Sequence, residues 1–175
     1  VLNTGLFDFD AAAQAPGWLR ELRGEHTPET EEYGIHNFVF RARRPFHPDR
    51  FLNVIENDMK GIVRSKGFFW LASRPGYAGS WSQAGGVSRQ GLAGMWWANV
   101  PQQHWPEDRE SRDYIIQNWA EDTGDARQEL VFIGIGMDEP QLRLKLNSAL
   151  LTDEEMQAGS DSWATLHDPF QPWFN

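Results

Sequence analysis

Five histidines, His26, His36, His47, His104 and His167, are the strongest nitrogen ligands in a chain that has no cysteine. Imidazoles combined with carboxylates can hold zinc. No H-x-x-x-H or H-E-x-x-H spacing occurs, and His36 and His47 are separated by a strand end and a proline. Solvent-facing or hydrogen-bonding histidines are the ordinary expectation. No metal site is assigned, with His36 and His47 the candidates that remain. Without cysteine there is no thiolate nucleophile, thiolate ligand or disulfide. No G-x-S-x-G elbow is present either, so no residue is assigned a catalytic role.

Basic residues carry the second chemistry. Arg41, Arg43 and Arg44 cluster in one segment, and Arg64 and Lys66 lie in another. Alternate residues of a strand share a face, so Arg41 goes with Arg43 and Arg64 with Lys66. Singly, each is an ordinary ion-pair partner on an acidic surface. Together, Arg41, Arg43, Arg44, Arg64 and Lys66 are the expected interaction surface. Asp153, Glu154 and Glu155 read as first-turn carboxylates at a helix N-terminus rather than as a cation site. Nine tryptophans, among them Trp70, Trp81, Trp96, Trp97 and Trp105, could line a stacking groove for a small molecule or carbohydrate. Core and interdomain packing is the simpler account of them.

The elements that must position these groups follow from periodicity. Ile35, Phe38 and Phe40 mark a strand ending at Arg44-Pro45. Pro48 opens a helix carrying Phe51, Leu52, Ile55 and Met59, which Lys60-Gly61 stops. Residues 62–72 form a strand with Val63, Ser65 and Gly67 on one face, and Gly67 suggests a bulge. Residues 77–90 and 92–98 are expected as two further antiparallel strands. Pro106 opens a helix through Trp119, and residues 128–137 are the most strand-like stretch of all. Asp138 then caps a helix with Leu142, Leu146 and Leu150 on one stripe, and Thr152 with Glu155 signals a short helix ending at Gly159. The order β-α-β-β-β-α-β-α predicts an α+β fold, a mostly antiparallel sheet of about five strands with helices mainly on one face. Residues 1–32 read as an interdomain helix and linker, 33–159 as the domain, and 160–175 as an irregular Pro- and Trp-rich tail.

The formal charge of −9 disfavours nucleic acid as a partner. No apolar run approaches the ~20 residues a membrane-spanning helix needs. The chain begins Val1-Leu2-Asn3 with no basic-then-apolar leader and reads as part of a longer protein.

Four phrases, taken in order, carry a resemblance: Arg43-Arg44-Pro45-Phe46-His47-Pro48, the run from Arg64 to Leu71, the run from Glu129 to Gly134, and the run from Leu150 to Glu155. Together they resemble the C-terminal domain of CobW-like GTPases, a family of GTP-dependent metallochaperones linked to zinc and to cobalamin synthesis. The resemblance implies a cytoplasmic, non-catalytic regulatory and protein-interaction domain, with no cofactor of its own. GTP, Mg and Zn would belong to the full-length protein. Its partners would be the N-terminal GTPase domain and a metal-requiring client. In keeping with that division, the chain has no G-x-x-x-x-G-K-[ST] loop and no Asn-Lys-x-Asp motif. The alternative is a stand-alone small-molecule or carbohydrate-binding domain using a Trp-rich sheet face.

Overall fold

The computed structural model describes residues 34–174. The interdomain helix and linker expected over residues 1–32, and His26 with them, lie outside the described residues. The chain runs β1 (Ile35–Ala42), α1 (Pro48–Asn57), β2 (Ile62–Trp70), β3 (Tyr77–Ala84), β4 (Val87–Met95), α2 (Arg109–Gln117), β5 (Gln128–Ile135), α3 (Glu139–Ala149), α4 (Asp153–Gln157) and α5 (Gly159–Trp163). The five strands form one sheet in the order β1-β5-β2-β3-β4, every pair antiparallel. This is the α+β plan that the order of elements predicts.

Strand alternation builds the core. Phe38 and Phe40 face inward from β1 and lie opposite Phe132 and Leu130 of β5. Phe69 of β2 and Trp81 of β3 extend the same face, and α1 and α3 cover it with Phe51, Val54, Leu142 and Leu146. Phe46, fully buried, bridges the layers, its ring stacked 4.2 Å from Phe51 and 6.0 Å from Phe40. Removing a ring so placed costs about 3–5 kcal/mol.

Two buried polar groups hold the sheet where apolar packing cannot. Gln128 is completely buried, and its amide accepts from Trp70 N–H at 2.9 Å while donating to the carbonyls of Trp70 and Arg44, each at 2.9 Å. Trp81 Nε1 donates to Ser65 Oγ at 2.6 Å, and Ser65 donates to Gln83 Oε1 at 3.1 Å. Every member thus recovers the hydrogen bonds lost on leaving water.

Local expectations differ from the structure in identifiable ways. Residues 77–90 are not one strand: Gly85-Gly86 turns the chain between Ala84 and its partner Val87, and Gly85 has φ +56. A two-residue turn that continues the strand twist needs positive φ, so the Gly-Gly dipeptide is the hairpin signal. β4 therefore ends at Met95, earlier than expected, and Trp97–Asn99 form a 3-10 turn. The bulge lies not at Gly67 but between Ile62 and Arg64, which leaves Val63 half exposed instead of beside Ser65. Gly67 stays in register between Leu130 and Trp81. It is glycine because a Cβ there would come within 2.0 Å of the Glu129 carbonyl oxygen.

α2 begins at Arg109, not at Pro106, because Asp108 accepts from Ser111 N–H at 2.8 Å and caps it. Residue 160 onward, expected to be irregular, opens with the single helical turn of α5. Beyond it Asp168 accepts from Ser73 Oγ at 2.5 Å and Arg74 Nε at 2.7 Å, and Phe170 enters the core.

Candidate functional site

At the end of the sheet where β1 finishes and β5 starts, α2 stands off from the strands and leaves a cleft of about 560 Å³. Its lining includes Arg41, Arg43, Tyr114, Asn118, Arg127 and Glu129. Three local rules place them. Arg41 lies opposite Glu129 in the β1/β5 ladder. Tyr114 on α2 and Asn118 at its C-cap are four apart and so lie on one side. Arg127 and Glu129 are two apart in extended chain and point the same way.

Glu129 is held between two arginines, 3.4 Å from Arg41 Nη2 and 2.7 Å from Arg127 Nε. Arg127 is fully engaged: Nη1 donates to the Asp125 carbonyl at 3.0 Å and Nη2 to the Tyr114 hydroxyl at 2.9 Å. Burial works against its charge, but the bond and charge of Glu129, with help from Tyr114, leave its pKa raised. Arg43 donates through Nη1 to the carbonyls of Gly124 and Ala126, at 3.1 and 3.4 Å. Burial first, and the neighbouring Arg127 second, lower its pKa, against the pull of Asp125 and Glu129. The arrangement has no nucleophile with a base beside it. It can recognise, orient and neutralise an anion.

The five expected surface residues divide. Arg41, Arg64 and Lys66 share the sheet face turned away from α1 and α3, because Arg41–Glu129–Phe68 and Val39–Val131–Lys66 are successive cross-strand rows. Arg43 joins Arg41 in the cleft. Arg44 turns elsewhere, donating to the Leu151 carbonyl at 2.9 Å and to Asp153 Oδ1 at 2.7 Å, where it ties β1 to the start of α4. Tyr114, Asn118, Arg127 and Glu129 are not among the site residues expected from the sequence; the i, i+4 spacing of Tyr114 with Asn118 and the alternation of Arg127 with Glu129 are the signals that point to them.

The described histidines do not converge. His36 is exposed at the start of β1, and His47 stands past its other end, about 20 Å of extended strand away by a rise of 3.3 Å per residue. His47 occupies the N-cap position of α1 with Nδ1 buried and without a hydrogen-bond partner. Burial first and Arg50 second lower its pKa. His167 Nδ1 lies 2.8 Å from Asp49 Oδ1, and His104 is exposed in a 3-10 turn. Among the described residues no group of three or more His, Asp or Glu is placed to hold a metal ion.

The tryptophans also scatter. Trp81 is core, Trp70 and Trp96 form a second buried cluster with Trp163 against it, and Trp97, Trp105 and Trp119 meet near α2. Among the described residues no single sheet face collects them. No helix among the described residues is long and apolar enough to cross a membrane.

The model of the cobalamin synthesis protein cobW C-terminal domain matches residues 35–150, from the first residue of β1 to the residue just past the end of α3. The chain belongs to the CobW C-terminal domain family. Zinc-regulated GTPase metalloprotein activator 1 of Dictyostelium discoideum is 47% identical to this CobW domain over 175 residues, 98% of this chain and 37% of that protein. A zinc chaperone of Mycobacterium tuberculosis is 36% identical over 135 residues, 77% of this chain and 34% of that protein. The crystal structure of Zn(II)-bound YjiA GTPase from E. coli aligns with 72% of this chain and 33% of its own, with a TM-score of 0.49 and 15% identity. This chain thus spans about a third of the length of the curated relatives it matches.

Proposed function

We propose that this CobW domain is a non-catalytic docking and regulatory module of a GTP-dependent zinc chaperone, acting inside a longer protein whose GTPase domain binds GTP and Mg and carries out hydrolysis. The observation that carries the reading is the cleft, where arginines gather at one end of the sheet with no grouping able to perform bond chemistry. Family membership, and relatives named as a zinc-regulated GTPase metalloprotein activator and a zinc chaperone, support it.

The mechanism is one of differential contact. A ligand or partner shifts a conformational equilibrium only by as much as it prefers one state over the other. The GTPase domain, in one nucleotide state, docks on the surface that carries Arg41, Arg43, Arg64 and Lys66 and releases it in the other. A metal-requiring client gains access to zinc accordingly. Zinc here is cargo, handled by the full-length protein in the cytoplasm.

The test compares zinc transfer to a client by the full-length protein and by a version lacking residues 33–175. Transfer or its GTP dependence should fall at least tenfold in the truncated protein. Equal transfer by both would refute the reading.

A further inference from the structure

We infer that the cleft between β1, β5 and α2 is a receptor for an acidic segment of a partner protein, taking its carboxylates on Arg41, Arg43 and the Tyr114 hydroxyl. The inference deepens the docking function proposed above and rests on it for the identity of the partner as a protein.

Donors left without acceptors separate receptor from framework. Arg127 has its Nε, Nη1 and Nη2 all engaged, so it is framework rather than receptor. Arg43 has partners only on Nη1 among the described residues, which leaves the Nε and Nη2 donors of its fork for an incoming oxyanion. Arg41 is half exposed and its contact with Glu129, at 3.4 Å, is a loose one. Tyr114 accepts through its hydroxyl oxygen from Arg127, so its own proton remains to be donated.

Acceptors are fewer than donors. Glu129 is the carboxylate that lines the cleft, and it is already divided between Arg41 and Arg127. Asp125, behind the wall, accepts from Ala98 N–H at 2.9 Å. Among the described residues, three guanidiniums against one lining carboxylate leave an excess of positive charge in a chain whose formal charge is −9. An arginine fork matches a carboxylate bidentately, which gives geometric selection as well as attraction. The volume of about 560 Å³ is far more than one inorganic anion fills and lies in the range that accepts a body of several residues' side chains.

The test is a titration of the full chain with a fluorescein-labelled tetraglutamate peptide, capped at both ends, followed by anisotropy and by backbone amide NMR. Because the protein is acidic overall, general attraction of this probe is disfavoured and a specific site stands out. Saturable binding is expected, with amide shifts concentrated at residues 41–43, 114–118 and 127–129. Affinity should fall at least fivefold in Arg41→Gln, and threefold or more in Tyr114→Phe. Arg41→Gln loosens only the 3.4 Å contact with Glu129, Tyr114→Phe keeps the ring but gives up the bond from Arg127 Nη2, and Arg43, which also holds two carbonyls, is a poorer probe. A capped tetraglutamine peptide should not bind. Absence of saturable binding, shifts mapping elsewhere, or unchanged affinity in Arg41→Gln would overturn the inference. Displacement of the peptide by an equal concentration of inorganic phosphate would overturn it in favour of a small-anion site. The outcome is separable from that of the truncation experiment: failed peptide binding with lost zinc transfer removes only the cleft, and peptide binding with unchanged transfer removes only the docking function.

Discussion

Glu155 shows how much one carboxylate can do at the edge of this fold. Its side chain accepts from Arg50 Nη1 at 3.0 Å and Nη2 at 2.5 Å, and also from Thr152 N–H at 2.7 Å, while Thr152 Oγ1 accepts from Glu155 N–H to complete a capping box. The hydrogen bond from Arg50 is the main cause holding its pKa at about 2, below the ordinary 4.5, with burial opposing and Thr152 assisting. A carboxylate with a depressed folded pKa stabilises the protein fully above its unfolded value and loses that contribution as pH falls through the folded one. The window is therefore pH 4.5 down to 2. With the pair about a third exposed, solvent screening reduces the effect to about 1 kcal/mol. Glu155→Gln should be less stable than the parent by about that amount at pH 7 in urea unfolding, with the difference closing as pH approaches 2. A difference that does not change with pH would show that charge is not what Glu155 supplies. The acidic run at 153–155 was legible as a helix N-terminus from its spacing, but Arg50 as its partner was not, because the two lie 105 residues apart.

Among the elements, β2 is where backbone contact is closest. Gly67 sits between β5 and β3 with φ +147, and the Glu129 carbonyl oxygen occupies the space a Cβ would need. Neither atom belongs to a flexible side chain, so the clash cannot be relieved by rotation. Gly67→Ala is expected to cost about 3 kcal/mol or more, since it adds strained φ to displaced backbone. Thermal unfolding would read this as a large drop in midpoint or a failure to fold; a near-parental midpoint would show that β2 and β5 can separate locally. The same glycine looked like a bulge in the sequence, because a lone glycine in a strand reports only that something comes close. What comes close is set by β5, far later in the chain. Elements with strong local signals, such as α1 behind Pro48 and α3 behind Asp138, were legible within a few residues. β3 and β4 were blurred, because the residues flanking Gly85-Gly86 alternate without large apolar side chains and β4 buries none of its residues. The candidate site was half legible. Arg41 and Arg43 stood out as a cluster, but Tyr114 and Arg127 reach them only through the β1/β5 register and the position of α2.

On the scale of the whole molecule the two sides of the sheet differ in make-up. α1 and α3 seal one side with an aromatic core. The other presents Arg41, Arg64 and Lys66, and leads at its end into the arginine-lined cleft. An acidic protein that concentrates cations on one such region favours partners that bring anions to that place, and steers them there with a strength that falls as salt rises. If, as proposed, the domain docks in one nucleotide state of the full-length protein and detaches in the other, its amide protons must exchange differently in the two. Hydrogen exchange on the full-length protein, loaded with GTP and separately with GDP, reads this directly. Protection at residues 41–43, 64–66 and 114–129 should differ severalfold between the two loadings, while the β5 core at 130–132 stays the same. Identical exchange across all these segments in both nucleotide states would contradict the account.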